Sequence, residues 1–140
     1  MNKQILKMFS MLIGLCLSAS VWAGNVAVIV NKDNDHAISK ELIAKMYTGK
    51  DKEWSNGDKI LLLDLPENSP TRVSFSNEIV GKSVGGLKFT WAQMMFSGVA
   101  VPPKVLQSDD EVKKYVAENK NAIGYIKTSS LDDSVKAVIK

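Results

Sequence analysis

Cysteine and histidine are almost absent from this chain: among 140 residues there is one of each, Cys16 and His36. A lone histidine with no partner at metal-ligand spacing offers no metal centre and reads as a loop surface residue. No G-x-S-x-G turn is present, and no nucleophile stands beside a base. The sequence therefore points away from an enzyme, and no metal or cofactor is expected. Repeats, low-complexity tracts and linkers are also missing. A single apolar run, Met8 to Leu17, stands out, and it is too short to span a bilayer comfortably. A large excess of either charge sign is also missing: 18 basic against 15 acidic residues leave a formal net charge of +3.

The apolar run sits in a recognisable context. Lys3 and Lys7 form a positive n-region before it, and Val21-Trp22-Ala23 follows with residues suited to cleavage. Residues 1–23 read as a secretory signal, cut after Ala23, which predicts a soluble periplasmic protein without membrane insertion. Leu15 occupies the position where lipidation at Cys16 needs a small residue, so a lipid anchor is not expected. Cleavage removes two lysines and Cys16, leaving a near-neutral, cysteine-free chain over 24–140. Such a chain needs no disulfide in an oxidising compartment. Near-neutral charge argues against a nucleic-acid or membrane-surface partner. The length suits one domain with a single core.

Along that domain, apolar runs alternate with helical patterns. Residues 25–30 (NVAVIV) read as a buried β-branched strand. Ser39 caps a helix with Glu41 in its first turn, Leu42, Ile43, Met46 and Tyr47 on one face, and Gly49 after it. Residues 50–58 form a loop with Trp54 and the turn Asn56-Gly57; residues 60–65 are the second strand. Ser69 starts a helix running through Val73, Phe75, Ile79 and Val80. Gly81-Lys82-Ser83 has neither the earlier glycine nor the preceding strand of a phosphate-binding P-loop. Gly85-Gly86 is read as a chain break, with a stripe of Leu87, Trp91, Met94 and Met95 beyond it. Residues 104–107 are extended. Ser108 and Glu111 form a capping box, with Val112, Tyr115 and Val116 on the apolar face of its helix. Residues 122–126 and 135–139 are strands, with a turn over 129–133. Continuous apolar strands between helices predict an α/β three-layer sandwich, a mainly parallel sheet with helices on both faces.

One helix start breaks a local rule. The helices at Ser39 and Ser108 carry acids in the first turn, as the macrodipole prefers. The helix at Ser69-Pro70-Thr71-Arg72 carries a cation instead. Ser69 suits the N-cap and Pro70 the first helical position. A bound anion would compensate Arg72, since free N–H groups and the positive end of the dipole point outward there. The alternatives are that Arg72 points into water or pairs with Glu67. A local rule broken once marks a candidate functional site.

Five stretches, in this order and spacing, resemble the phosphate-binding proteins of ABC-type uptake systems, within the type 2 periplasmic binding protein superfamily. They are VAVIVNKDN (26–34), ISKELIAKMYTGK (38–50) with Trp54 and Gly57, SPTRVSF (69–75), Trp91 with Phe96-Ser97-Gly98, and NAIGYIK (121–127). The resemblance implies a single lobe of a fold in which two α/β lobes close on an oxyanion. It implies a Ser-Gly-Thr-type phosphate loop that maps onto Ser69, Pro70 and Thr71, with Arg72 next, and an ABC transporter permease as partner. Pro70 in place of glycine removes one backbone donor, and Leu65 stands where many members place an arginine. With one lobe, a bound anion would face water on one side, where hydrogen bonds contribute much less than the ~1.5–3 kcal/mol of desolvated charged ones. Tight binding would then call for a homodimer or a partner chain to supply the other wall. Two functions are compatible with the sequence: an oxyanion receptor, most simply for inorganic phosphate, serving uptake or sensing, or a single-lobe module that has lost the ligand and acts through protein contacts.

Overall fold

β1 (Val26–Val30) is the centre of the molecule: all five of its residues are buried. In the computed structural model, which describes residues 25–140, β1 lies between β4 (Ala122–Lys127) and β5 (Lys136–Ile139) and runs antiparallel to both. The leader read over residues 1–23 lies outside the described residues. β2 (Leu61–Asp64) pairs in parallel with β4 on one side and with the two-residue β3 (Lys104–Val105) on the other. The sheet order is β3-β2-β4-β1-β5. Every strand but β1 shares one direction, so the mainly parallel sheet read from the sequence is present, with β1 reversed.

Helices cover both faces, and β4 shows why. Its side chains alternate, so Gly124 faces one side while Ile123 and Tyr125 face the other. On the Gly124 side lies α4 (Asp109–Glu118), which buries Val112 and Val116. A methyl group added at Gly124 would stand 2.8 Å from Val112 Cγ1 and 3.3 Å from Leu63 Cβ, so glycine here is set by close packing of helix on sheet. On the opposite side, Tyr125 stacks on Phe75 at 3.8 Å between centroids and 7° between planes. Tyr47, from α1 (Lys40–Tyr47), meets Phe75 edge-on at 4.7 Å, and its hydroxyl donates to Leu63 O at 2.6 Å.

The helix starts follow their predicted caps. Ser39 Oγ accepts from Leu42 N and Ser108 Oγ from Glu111 N. The Glu111 side chain reaches back to the N–H of Gln107, one residue before the box expected from the sequence. Pro70 to Val80 is one continuous helical segment, α-helical in α2 (Pro70–Ser74) and π-helical over Phe75–Val80. It ends where Gly81, at φ 80°, and Lys82 both donate to Ser76 O.

Three local readings are corrected by packing. Gly85 and Gly86 do not break the chain; they lie in the first turn of α3 (Val84–Phe96), where Ser83 Oγ accepts from Gly86 N. A cap satisfies the helix end and offsets the glycine cost of about 1 kcal/mol each. The helix from Ser69 runs through Val73 as read, with Val73 exposed, because the core face of the segment runs through Phe75, Ser76 and Val80. Of the stripe on α3, Leu87 and Trp91 are buried, while Met95 faces outward with Phe96. His36 is half-buried rather than free: its ring stacks on Trp54 at 4.8 Å and its Nδ1 lies 3.0 Å from Ser55 Oγ.

Candidate functional site

Parallel strands bring their carboxyl ends to one edge of the sheet, and the segments that leave those ends meet there. α2 leaves β2, α4 leaves β3, and a single 3-10 turn (Thr128–Ser130) leaves β4. Because β1 runs the other way, its first residues reach the same edge, and Asn25 O accepts from Thr128 N at 3.1 Å. Two adjoining crevices open there. One is lined by Ser69, Pro70, Thr71, Ser108, Asp109, Asp110, Lys127 and Ser130, among others. The second, lined by Asn25, Pro70, Thr71, Ser74, Lys127, Thr128 and Ser129, shares Pro70, Thr71 and Lys127 with it.

The sequence-predicted residues divide between two faces. Ser69 has the extended N-cap conformation, φ −69° and ψ 124°, and its Oγ accepts from Arg72 N at a long 3.4 Å. Thr71 is buried at the junction of both crevices. Arg72 is turned away. Its Nη1 donates to Leu65 O at 2.8 Å, and its Nη2 lies 3.4 Å from Asp64 Oδ2. Both side chains of this ion pair are 11% exposed. Arg72 lines a separate hollow with Asp64, Glu67, Lys88 and Trp91. Neither alternative weighed for Arg72, water or Glu67, is realised. Glu67 pairs instead with Lys88 at 3.0 Å on the surface. The buried carboxylate explains how a cation is tolerated in the first turn: Asp64 balances the guanidinium where the dipole would oppose it.

Asp64 is the best-connected group near the site. Its Oδ1 accepts from Leu65 N at 3.0 Å and from the Tyr125 hydroxyl in a short hydrogen bond. Burial raises its pKa above the ordinary carboxylate value, against the lowering effects of the Tyr125 hydrogen bond, the Arg72 charge and the Leu65 N–H. Burial, with the Asp64 charge second, also pushes the Tyr125 hydroxyl up, so it stays a donor.

Ser108, Asp109, Asp110, Lys127 and Ser130 were not associated with Ser69 by sequence. The expected mainly parallel sheet was the one signal: β2, β3 and β4 run the same way, so the starts of α2 and α4 and the turn after β4 reach the same edge. The electrostatics of this edge are mixed. Asp109 Oδ2 accepts from Lys127 N at 3.1 Å and from Ser130 Oγ at 2.7 Å, so it is spent on capping the turn after β4. Asp110 faces Lys113 at 3.5 Å. These carboxylates oppose an anion, and Lys127 and the α2 N–H groups favour one. No cluster of three metal-ligating side chains occurs among the described residues.

The architecture is that of a single α/β lobe with a polar crevice at the carboxyl edge of its sheet. Residues 17–138 match the family model described as the PBP superfamily domain, and the chain belongs to that family. It is 33% identical over 121 residues to the phosphate-binding protein PstS of Bacillus subtilis (strain 168), covering 81% of this chain and 35% of that protein. Among solved structures, a putative phosphate ABC transporter substrate-binding protein with bound phosphate from Clostridium perfringens is 31% identical. It superimposes with a TM-score of 0.66 over 81% of this chain and 44% of that one. An ABC-type phosphate transport receptor from Vibrio cholerae is 27% identical, with a TM-score of 0.64 over 81% and 45%. The chain thus spans about a third to a half of the length of these relatives.

Proposed function

We propose that the protein is a receptor for inorganic phosphate or a similar tetrahedral oxyanion, exported to the periplasm and serving ABC-type uptake or sensing. The observation that carries this reading is Thr71, buried where two crevices join at the start of α2, in a chain similar to phosphate-binding receptors. Ser69 and Thr71 donate from their hydroxyls, the Thr71 N–H donates from the backbone, and Lys127 supplies positive charge at the rim. The Arg72 side chain, expected from the sequence to provide that charge, is committed to Asp64 and enters this reading only through its support of the loop. This lobe by itself leaves one side of the anion open to water, so affinity rises with protein concentration if a second copy or a partner chain closes the crevice.

The test is calorimetric titration of residues 24–140 with phosphate, arsenate, sulfate and chloride, beside Thr71→Val. Phosphate or arsenate binding that Thr71→Val removes supports the receptor. No heat and no thermal shift at millimolar phosphate, at any protein concentration, refutes it. Mass spectrometry of fractionated cells tests export, with a species starting at Gly24 expected in the periplasmic fraction.

A second reading, a binding module that works through protein contacts, is favoured by one observation. Phe96 is 98% exposed and Val101 87%, with Met95 and Val99 exposed close by in the chain, more apolar surface than isolated exposed residues require. Loss of the phosphate signal would leave this reading in place.

A further inference from the structure

Most of the loop that carries Ser69 has little to hold it. Glu67 and Asn68 are exposed, and among the described residues the ties along its middle are the Ser69 N–H to Pro66 O, at 2.9 Å, and the surface pair of Glu67 with Lys88. Its first residue, Leu65, is bound on both sides. The Leu65 N–H reaches Asp64 Oδ1 at 3.0 Å and Tyr125 Oη at 3.2 Å, and the Leu65 carbonyl accepts from Arg72 Nη1 at 2.8 Å. The other prong of the guanidinium reaches Asp64 Oδ2. One side chain from the first turn of α2 therefore closes the loop onto the end of β2. Asp64 is fixed in turn by the Tyr125 hydroxyl, and the Tyr125 ring stacks on Phe75, three residues beyond Arg72 on the same helical segment. The clamp is continuous with the aromatic core.

We propose that Asp64 and Arg72 are positioning residues of the oxyanion site: the buried pair holds residues 65–72 in the shape that presents Ser69 and Thr71 to the crevice, and neither side chain touches the anion. This rests on the reading of Ser69 and Thr71 as anion donors. The geometry separates it from the simpler idea of Arg72 as a ligand, because the guanidinium lies in the hollow with Glu67, Lys88 and Trp91 and not in the crevice with Ser69. The fork is essential to the device. A lysine keeps the charge, but a single ammonium on a flexible stem does not reproduce the planar, two-pronged grip on a carbonyl and a carboxylate. Preorganised donors lose affinity steeply when their support loosens.

The experiment compares Asp64→Asn, Arg72→Lys and the double variant by calorimetric titration with inorganic phosphate. If the pair positions the loop, each single variant weakens phosphate binding by roughly tenfold or more. The double variant is then scarcely weaker than either, because both changes break one clamp. The fall in Asp64→Asn is the telling result, since removing a negative charge near the site would by itself favour an anion. If Arg72 is a direct ligand, Asp64→Asn frees it and binds phosphate more tightly, and Arg72→Lys keeps most of the affinity; that pattern overturns the proposal. Amide hydrogen exchange on the apo protein gives an independent readout. Asp64→Asn should accelerate exchange at Leu65, Ser69 and Arg72 while the amides of β1 and β4 stay protected. Unchanged exchange at these three positions also overturns the clamp. If the wild type binds no phosphate, the receptor reading fails, and the exchange result alone decides whether the clamp exists.

Discussion

Arg72→Ala separates a ligand-binding arginine from a structural one even before any ligand is added. An exposed cation in the first turn of a helix opposes the dipole, so deleting it would be neutral or slightly stabilising. The structure leads to the opposite expectation. Truncation removes the guanidinium facing Asp64 at 3.4 Å and the hydrogen bond to Leu65 O at 2.8 Å, both buried. Breaking a buried pair by deleting one partner costs ~3–5 kcal/mol. The lower end applies here, since Asp64 keeps two donors, Tyr125 Oη and the Leu65 N–H. A loss of about 3 kcal/mol at pH 7 is expected, measured by urea denaturation with an unchanged m-value. The loss should shrink toward acid pH. Once Asp64 takes up its proton, no unpaired charge remains buried, and its pKa, already raised by burial, rises further without Arg72. A loss below about 1 kcal/mol at pH 7, independent of pH, would refute the assignment of Arg72 to the core.

Asp64→Asn tests the same network through pH. A carboxylate whose folded pKa lies above its unfolded value contributes stability that is present below the unfolded pKa and lost as pH rises through the folded one. The stability of the wild type relative to Asp64→Asn should therefore fall as pH rises from about 4 across that window, as read by denaturation at a series of pH values. Ser108→Ala should cost ~0.5–2 kcal/mol, and Ser69→Ala less, because the Ser69 cap bond to Arg72 N is 3.4 Å against 3.2 Å for Ser108 to Glu111 N; chemical denaturation of both variants checks the order. Gly124→Ala should destabilise by ~1–3 kcal/mol, since the added methyl meets Val112 at 2.8 Å, and thermal unfolding that matches the wild type would show that α4 yields at no cost.

Caps, turns and β-branched runs are local, and they were legible in the sequence. Ser39, Ser69 and Ser108 each cap the helix that begins beside them, because a cap bond spans three residues and needs no distant partner. The burial of residues 26–30 and 122–126 follows from apolar composition, and the order of the motifs sufficed to name the family. Tertiary structure decided the rest. Arg72 was readable as out of place, but not its partner. Glu67 was the acid considered for it, whereas the fold turns Glu67 toward Lys88 and presents Asp64 from the end of β2. The convergence of α2, α4 and the turn after β4 depends on which strands lie side by side, and strand order is set by pairing between segments far apart in the chain. The stripe on α3 was visible as helical spacing, yet spacing gives a face and not its cover, so Leu87 and Trp91 are buried while Met95 is left outside. A local rule reports what a residue needs; only the packed chain determines which distant group meets that need.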